Sequence, residues 1–300
     1  MMQLNMHTPQ KRFFLKRVAF GKPKPVLCFV VVLCGWSWSV CAGLIAYDGF
    51  AYALDQTVVG LGTDAGWANS GQKYTISVGN NASAFNEVSD MAPYQNLLTS
   101  GNQLHLNGAT APGGSAGVYR NLGATYNTAG NVYWFSGLLQ IDNGAGTSYA
   151  GVSLFSSTGE HFFFGQRNVS STWGMEQHAG SGANSAISLL NSVTGFLVLE
   201  LVGTSGDATH RTANLYVNPT SLGGSAPTTP NATLTFSDFS FDRFRAQAGN
   251  ENLDVDEFRF GASFGDVTPI PEPSSVALTI FVVLVGGIKS ARRWTVRNRK

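Results

Sequence analysis

Between residues 43 and 268 no run of a dozen residues repeats apolar side chains at a helical period. Short alternating stretches broken by Gly, Asn, Ser and Thr take its place. Alternation confines such a chain to sheets, because successive side chains of a strand point to opposite faces. Residues 131–142 read as a buried strand with Phe135, Leu139 and Ile141 on one face. Strands are expected over 149–155, 161–166 and 171–177, the last two joined by a polar turn at Asn168. The strongest is 196–202, whose one acid, Glu200, shares a face with Phe196 and Val198 and so needs an edge position or a partner. Residues 212–218 place Ala213, Leu215 and Val217 together, and 219–231, with Gly223, Gly224 and three prolines, must be an exposed loop. Residues 233–236, 239–245 and 253–260 supply the last strands. Toward the start, 73–78 and 103–106 are strand candidates, 92–98 suits a short helix, and Gly113, Gly114 and Gly117 mark a turn.

Charge is partitioned along the chain. Of 19 Lys and Arg, six lie before residue 25 and six after residue 288, which leaves seven for the middle against all 18 Asp and Glu. The near-neutral total of +1 therefore hides an acidic body. Such a body argues against nucleic acid as a partner. It is compatible with cation-bridged contact to an acidic polysaccharide and equally with a solvated surface. All three cysteines, Cys28, Cys34 and Cys41, precede the body, which excludes disulfides, thiolate metal sites and cysteine nucleophiles from it.

Both ends carry apolar segments flanked by cations. Lys11, Arg12, Lys16, Arg17, Lys22 and Lys24, with no acid among them, precede an apolar run over 26–40. Small side chains follow up to Gly43. This is the pattern of a secretory signal peptide removed after Ala42, with an uncleaved anchor as the alternative. At the other end Pro271, Glu272 and Pro273 lead into an apolar run over 276–288. A helix of that length spans about 20 Å at ~1.5 Å per residue, short of the ~30 Å hydrocarbon core. Lys289, Arg292 and Arg293 open a cluster that stops transfer and holds that end in the cytoplasm.

The order Pro271, Glu272, Pro273, apolar run, then Arg292 and Arg293 resembles the PEP-CTERM sorting signal of Gram-negative bacteria. The resemblance implies recognition by an exosortase in the inner membrane, cleavage near the triplet, and delivery to the cell surface or an exopolysaccharide matrix. The body is similar to concanavalin A-like or laminin-G-like jelly rolls. That similarity rests on 44–50 with Gly66 and Trp67, on 196–200 leading to 213–219, and on 255–261 followed by 264–269. It implies an all-β sandwich of two antiparallel sheets, here flanked by an N-terminal signal helix and a C-terminal hydrophobic helix. The expected division is signal peptide 1–42, sandwich 43–268 and sorting signal 269–300.

Motif chemistry is sparse. A retaining glycosidase needs two carboxylates about 5 Å apart, and on related folds they come from a Glu-x-Asp-x-Glu strand. Asp254 and Asp256 share a face, but Phe258 stands at the next alternate position. Core positions for Phe258 and Phe260 turn Asp254 and Asp256 inward unless a bulge intervenes. A bulge lets Val255 and Phe258 both face in and leaves Asp256 and Glu257 solvated or bonded to a loop. Pairing of Glu257 with Arg259 or Arg243 is the favoured contact. Laminin-G-like domains often hold calcium on Asp and Asn oxygens, which makes Asp254 and Asp256, with Asn252, Asp142 and Asn143, the candidates. His105, His161, His178 and His210 lack zinc spacing. Trp67, Trp134, Trp173 and Tyr126 read mainly as core, and an exposed pair among them signals sugar stacking. The expectation is an exported, exosortase-sorted protein that is not an enzyme and has no catalytic residue, its sandwich serving adhesion or exopolysaccharide association. The alternative is a calcium-dependent lectin-like module, with a glycoside hydrolase behind it.

Overall fold

The computed structural model describes residues 43–53, 56–59, 74–78, 84–87, 91–111, 113–142, 148–178, 180–204 and 206–270. Ala42 with the leader before it, and the tail that holds Pro271, Glu272, Pro273, Lys289, Arg292 and Arg293, lie outside them, as do Trp67 and Asn143. Among the described residues no helix is long and apolar enough to cross a membrane.

Five short strands come first: β1 (Leu44–Asp48), β2 (Gln56–Thr57), β3 (Thr75–Val78), β4 (Ala84–Glu87) and β5 (Gln103–Asn107). Long strands follow, β6 (Ser115–Asn127) and β7 (Val132–Asp142), then β8 (Ala150–Ser156), β9 (Gly159–Gln166), β10 (Thr172–Gln177) and β11 (Gly182–Ser188). The remainder is β12 (Gly195–Val202), β13 (Arg211–Val217), β14 (Ala232–Phe236), β15 (Ser240–Gly249), β16 (Asn252–Gly261) and one turn of helix, α1 (Phe264–Val267). Among the described residues the ladders are antiparallel apart from an isolated parallel bridge between Val59 and Tyr74. The larger sheet runs β14-β13-β12-β7-β16-β5-β4-β2, with β1 also on β16; the smaller runs β11-β10-β9-β8-β15-β6-β3. The expected all-β sandwich of two antiparallel sheets is therefore the fold.

One core lies between the sheets. It takes Phe135, Leu139 and Ile141 from β7, Leu197, Leu199 and Leu201 from β12, Phe162 and Phe164 from β9, and Phe241 and Phe244 from β15. A second apolar cluster covers the outer face of the larger sheet: Trp134, Leu138, Phe196, Val198 and Tyr216 lie under Met91, Leu97, Phe264 and Val267. This second layer explains why β12 is apolar on both faces. Glu200 at its end has the partners its position demands, since Asn214 Nδ2 donates to its Oε2 at 2.8 Å and Tyr216 OH at 3.5 Å.

Two local expectations are corrected. Residues 92–98 form no helix; they are an irregular segment with a turn at Gln95, where φ is 50°. Tyr94 and Leu97 are spent as a lid on Phe196, and that packing outweighs local helix propensity. The glycine turn ends at Gly114, and Ser115 already belongs to β6. The polypeptide leaves the sandwich on the covered face. Ser263 Oγ caps α1 by accepting from Asp266 N, Ser136 Oγ donates to Val267 O at 2.6 Å, and Leu98 N donates to Pro269 O at 3.1 Å. Gly223 N donates to Thr268 Oγ1 at 3.1 Å, and Ile270 rests on Gly223.

Candidate functional site

The outer face of the smaller sheet is built unlike the outer face of the larger one. Its register places Gly117, Gln247, Gly151, Gly165 and Gly174 in one row across five strands. The next row is Tyr119, Arg245, Ser153, Phe163 and Glu176. Absence of Cβ atoms lets neighbouring side chains lie flat. A Cβ on Gly151 would stand 2.8 Å from Phe163 Cζ, one on Gly249 2.6 Å from Tyr149 Cε1, and one on Gly174 2.9 Å from Arg167 Cδ. Rings and a guanidinium stem thus pave the sheet.

Three adjoining clefts open on this floor. The first, of ≈ 320 Å³, is lined by Tyr149, Glu160, Glu176, His178, Arg245 and Gln247 among others. The second, of ≈ 420 Å³, lies between Tyr119, Phe155, Arg243, Arg245 and the turn 156–159. A third, of ≈ 240 Å³, is walled by Asn121, Thr125, Asp242 and Arg243. Arg245 separates the first two and Arg243 the second from the third, so the clefts form one groove following β15. From Asp242 to Gln247 that is roughly 17 Å at ~3.3 Å per residue.

Arginines give the groove its posts, and each is held in place. The Arg245 guanidinium lies 4.3 Å from the Phe155 ring centroid and pairs with Glu160. Glu160 Oε2 also accepts from Gln247 Nε2 at 3.1 Å and Ser153 Oγ at 3.2 Å. Burial lowers the pKa of Arg245, an effect that Glu160 opposes. Arg243 sits over Tyr119 at 5.3 Å and donates through Nε to Asp242 Oδ1 at 2.6 Å, a bond that raises its pKa. Arg167 Nε donates to Glu176 Oε2 at 3.0 Å and its Nη1 to Asn184 Oδ1 at 3.0 Å. His161 stacks on Phe239 at 5.5 Å with Nε2 2.7 Å from Ser156 Oγ. Its pKa is lowered by burial and then by His178, with Asp242 opposing. The face therefore offers flat rings and, beside them, fixed donors and acceptors. That combination suits a polyhydroxylated ligand.

The residues singled out from the sequence lie elsewhere. Asp254 and Asp256 sit on the larger sheet, buried, on the side of β16 opposite the core residues Leu253 and Val255. Asp254 Oδ1 is 2.6 Å from His105 Nδ1, and Asp256 Oδ1 accepts from Glu257 N at 2.7 Å. The bulge is present. Register shifts between Asp256 and Arg259, Glu257 has φ 54°, and Val255 and Phe258 both enter the core. Glu257 pairs with Arg259 and accepts from Tyr47 OH at 3.2 Å. Asp142 Oδ1 accepts from Ser192 Oγ at 2.6 Å, and Asn252 Oδ1 from Ala109 N at 3.4 Å. Among the described residues no three His, Asp or Glu gather as a metal would need. Trp134 and Trp173 are buried and Tyr126 half-buried. The signal that could have found the groove is Arg243, Arg245 and Gln247 alternating with core residues Phe244, Ala246 and Ala248.

No protein-family model matches this chain, and no curated protein does. Solved structures of similar fold include the T. cruzi calreticulin globular domain, with 10% identity and a TM-score of 0.40, covering 75% of this chain and 90% of that one. An endo-beta-1,4-glucuronan lyase from the fungus Trichoderma reesei is 12% identical with a TM-score of 0.43, covering 74% of this chain and 97% of the lyase. A carbohydrate esterase from the Shiga toxin-encoding bacteriophage phi24B is 10% identical with a TM-score of 0.39, covering 63% and 90%. Likeness of this degree speaks to fold alone. The expectation that the chain is not an enzyme is nonetheless withdrawn: structures of this fold include polysaccharide lyases and a carbohydrate esterase, and no activity passes from them to this chain. Its physical weakness is plain: it weighed contiguous motifs, whereas the groove is assembled from side chains on several strands.

Proposed function

We propose that this chain is an exported protein whose sandwich, a concanavalin A-like jelly roll of the laminin-G-like kind, holds polysaccharide in the groove over β15. The observation that carries the reading is the run of three clefts joined by Arg245 and Arg243 on a floor of flattened side chains. Rings present faces to sugar rings, and Glu160, Gln247 and the arginines present hydrogen-bonding edges to hydroxyls. The two ends supply the address. The leader is removed after Ala42, an exosortase in the inner membrane cuts near Pro271, Glu272 and Pro273, and Lys289, Arg292 and Arg293 hold the tail until then. The body then stands at the cell surface or in an exopolysaccharide matrix.

Affinity electrophoresis of the exported protein through polysaccharide gels, with and without chelator, tests the groove. Hydrogen bonds to a charged group contribute about 1.5–3 kcal/mol, so Arg245→Ala weakens retardation by about tenfold or more. Equal retardation of Arg245→Ala and the parent would remove the groove from the reading. Sampling the same gels for released sugar asks whether the ligand is also turned over. Mass spectrometry of the mature protein tests the address: the expected ends are Gly43 and a residue near Pro271, and recovery of intact Lys300 contradicts processing.

A further inference from the structure

We infer that the groove selects an uncharged polysaccharide over an acidic one. The inference rests on the groove reading above and concerns only the class of ligand. Its ground is the charge pattern of the face. Arg167, Arg243 and Arg245 are matched by Glu176, Asp242 and Glu160, each in a direct ion pair. The face is thus neutral in sum while densely polar. It is carried by a body, 43–268, in which seven Lys and Arg stand against 17 Asp and Glu. A polyanion approaching it meets repulsion beyond the pairs and no excess of cations at them. Screening confines either effect to about 8 Å at physiological salt.

Pairing also decides what can bind at contact. For a ligand carboxylate to take Arg245, it must displace Glu160, whose side chain is only 12% exposed and whose Oε2 already accepts from Ser153 and Gln247. Displacement strands a desolvated carboxylate, which is costly. A hydroxyl asks for nothing of the kind. It donates and accepts at once, so it can receive from the guanidinium and give to the carboxylate while the pair stays intact. Burial lowers the pKa of His161 and so disfavours its cationic form. The ring faces of Tyr149 and Phe155 carry the negative side of the aromatic quadrupole and give a carboxylate no advantage.

Matched polymer pairs test this on the mature protein: hydroxyethyl cellulose with carboxymethyl cellulose, and dextran with carboxymethyl dextran, by affinity electrophoresis at low and high salt. The expected result at low salt is retardation about tenfold stronger by an uncharged member than by its carboxylated partner, with the uncharged member's own retardation unchanged by salt. Glu160→Gln and, in the more exposed third cleft, Asp242→Asn each leave an arginine unmatched and are expected to raise binding of the carboxylated member. Preference of the parent protein for carboxylated polymers, weakening as salt rises, would overturn the inference and leave the groove standing. Failure of all four polymers and of the parent polysaccharide gels would overturn both.

Discussion

Gly151 shows how a single missing atom shapes the binding face. Its place beneath Phe163 leaves no room for a methyl group, which would press on the ring and on the Phe164 carbonyl. Gly151→Ala is expected to destabilise the fold by about 1–3 kcal/mol, the usual cost of overpacking, read as a lowered urea midpoint. His161 offers a second test. Its folded pKa lies below the ordinary 6.5, so the unfolded chain takes up the proton first. The stability this histidine contributes is complete above pH 6.5 and is lost as pH falls through the lower folded value. His161→Gln is expected to flatten the denaturation midpoint across that window; an unchanged slope would place the titration elsewhere. Neither residue is marked as special by its neighbours in the chain. Glycines in strands and scattered histidines acquire meaning only from what the sheet sets beside them.

Strands show where local reading holds and where it fails. The pattern of β7, β12 and β13 was legible because their inward residues alternate without interruption. The bulge in β16 was only half legible: core positions for Phe258 and Phe260 turn Asp254 and Asp256 inward unless a bulge intervenes, and the register shift between Asp256 and Arg259 decides for the bulge. The longest strand, β6, was missed: it begins straight after a glycine pair and carries the buried Arg120, whose partner Asp48 lies on β1. An inward arginine breaks the apolar pattern unless its distant partner is known. The β16 bulge makes a measurable claim of its own. Glu257 and Arg259 are both buried and pair with each other, burial raising the carboxyl pKa and Arg259 opposing. Glu257→Ala is expected to cost about 3–5 kcal/mol by stranding Arg259. Adding Arg259→Met recovers much of that loss in a double-mutant cycle; strict additivity of the two changes would refute the coupling.

For the molecule as a whole, the architecture was readable and the site was not. Composition and turn spacing lead to two stacked sheets, whereas the groove depends on which strands become neighbours, a property of topology. The covered face has a further consequence. The last described residues lie across the sandwich as a flap held by Ser136, Leu98 and Gly223, and no ladder bond includes them. In a chain tethered by its tail, tension reaches that flap before any strand. Its few bonds sit in series and open like a zip, while each sheet shares load across many bonds in parallel. Single-molecule pulling from the C-terminus is therefore expected to show a small extension at low force ahead of the main rupture. Under such a load the flap yields first, and the two sheets keep their ladders until it is fully paid out.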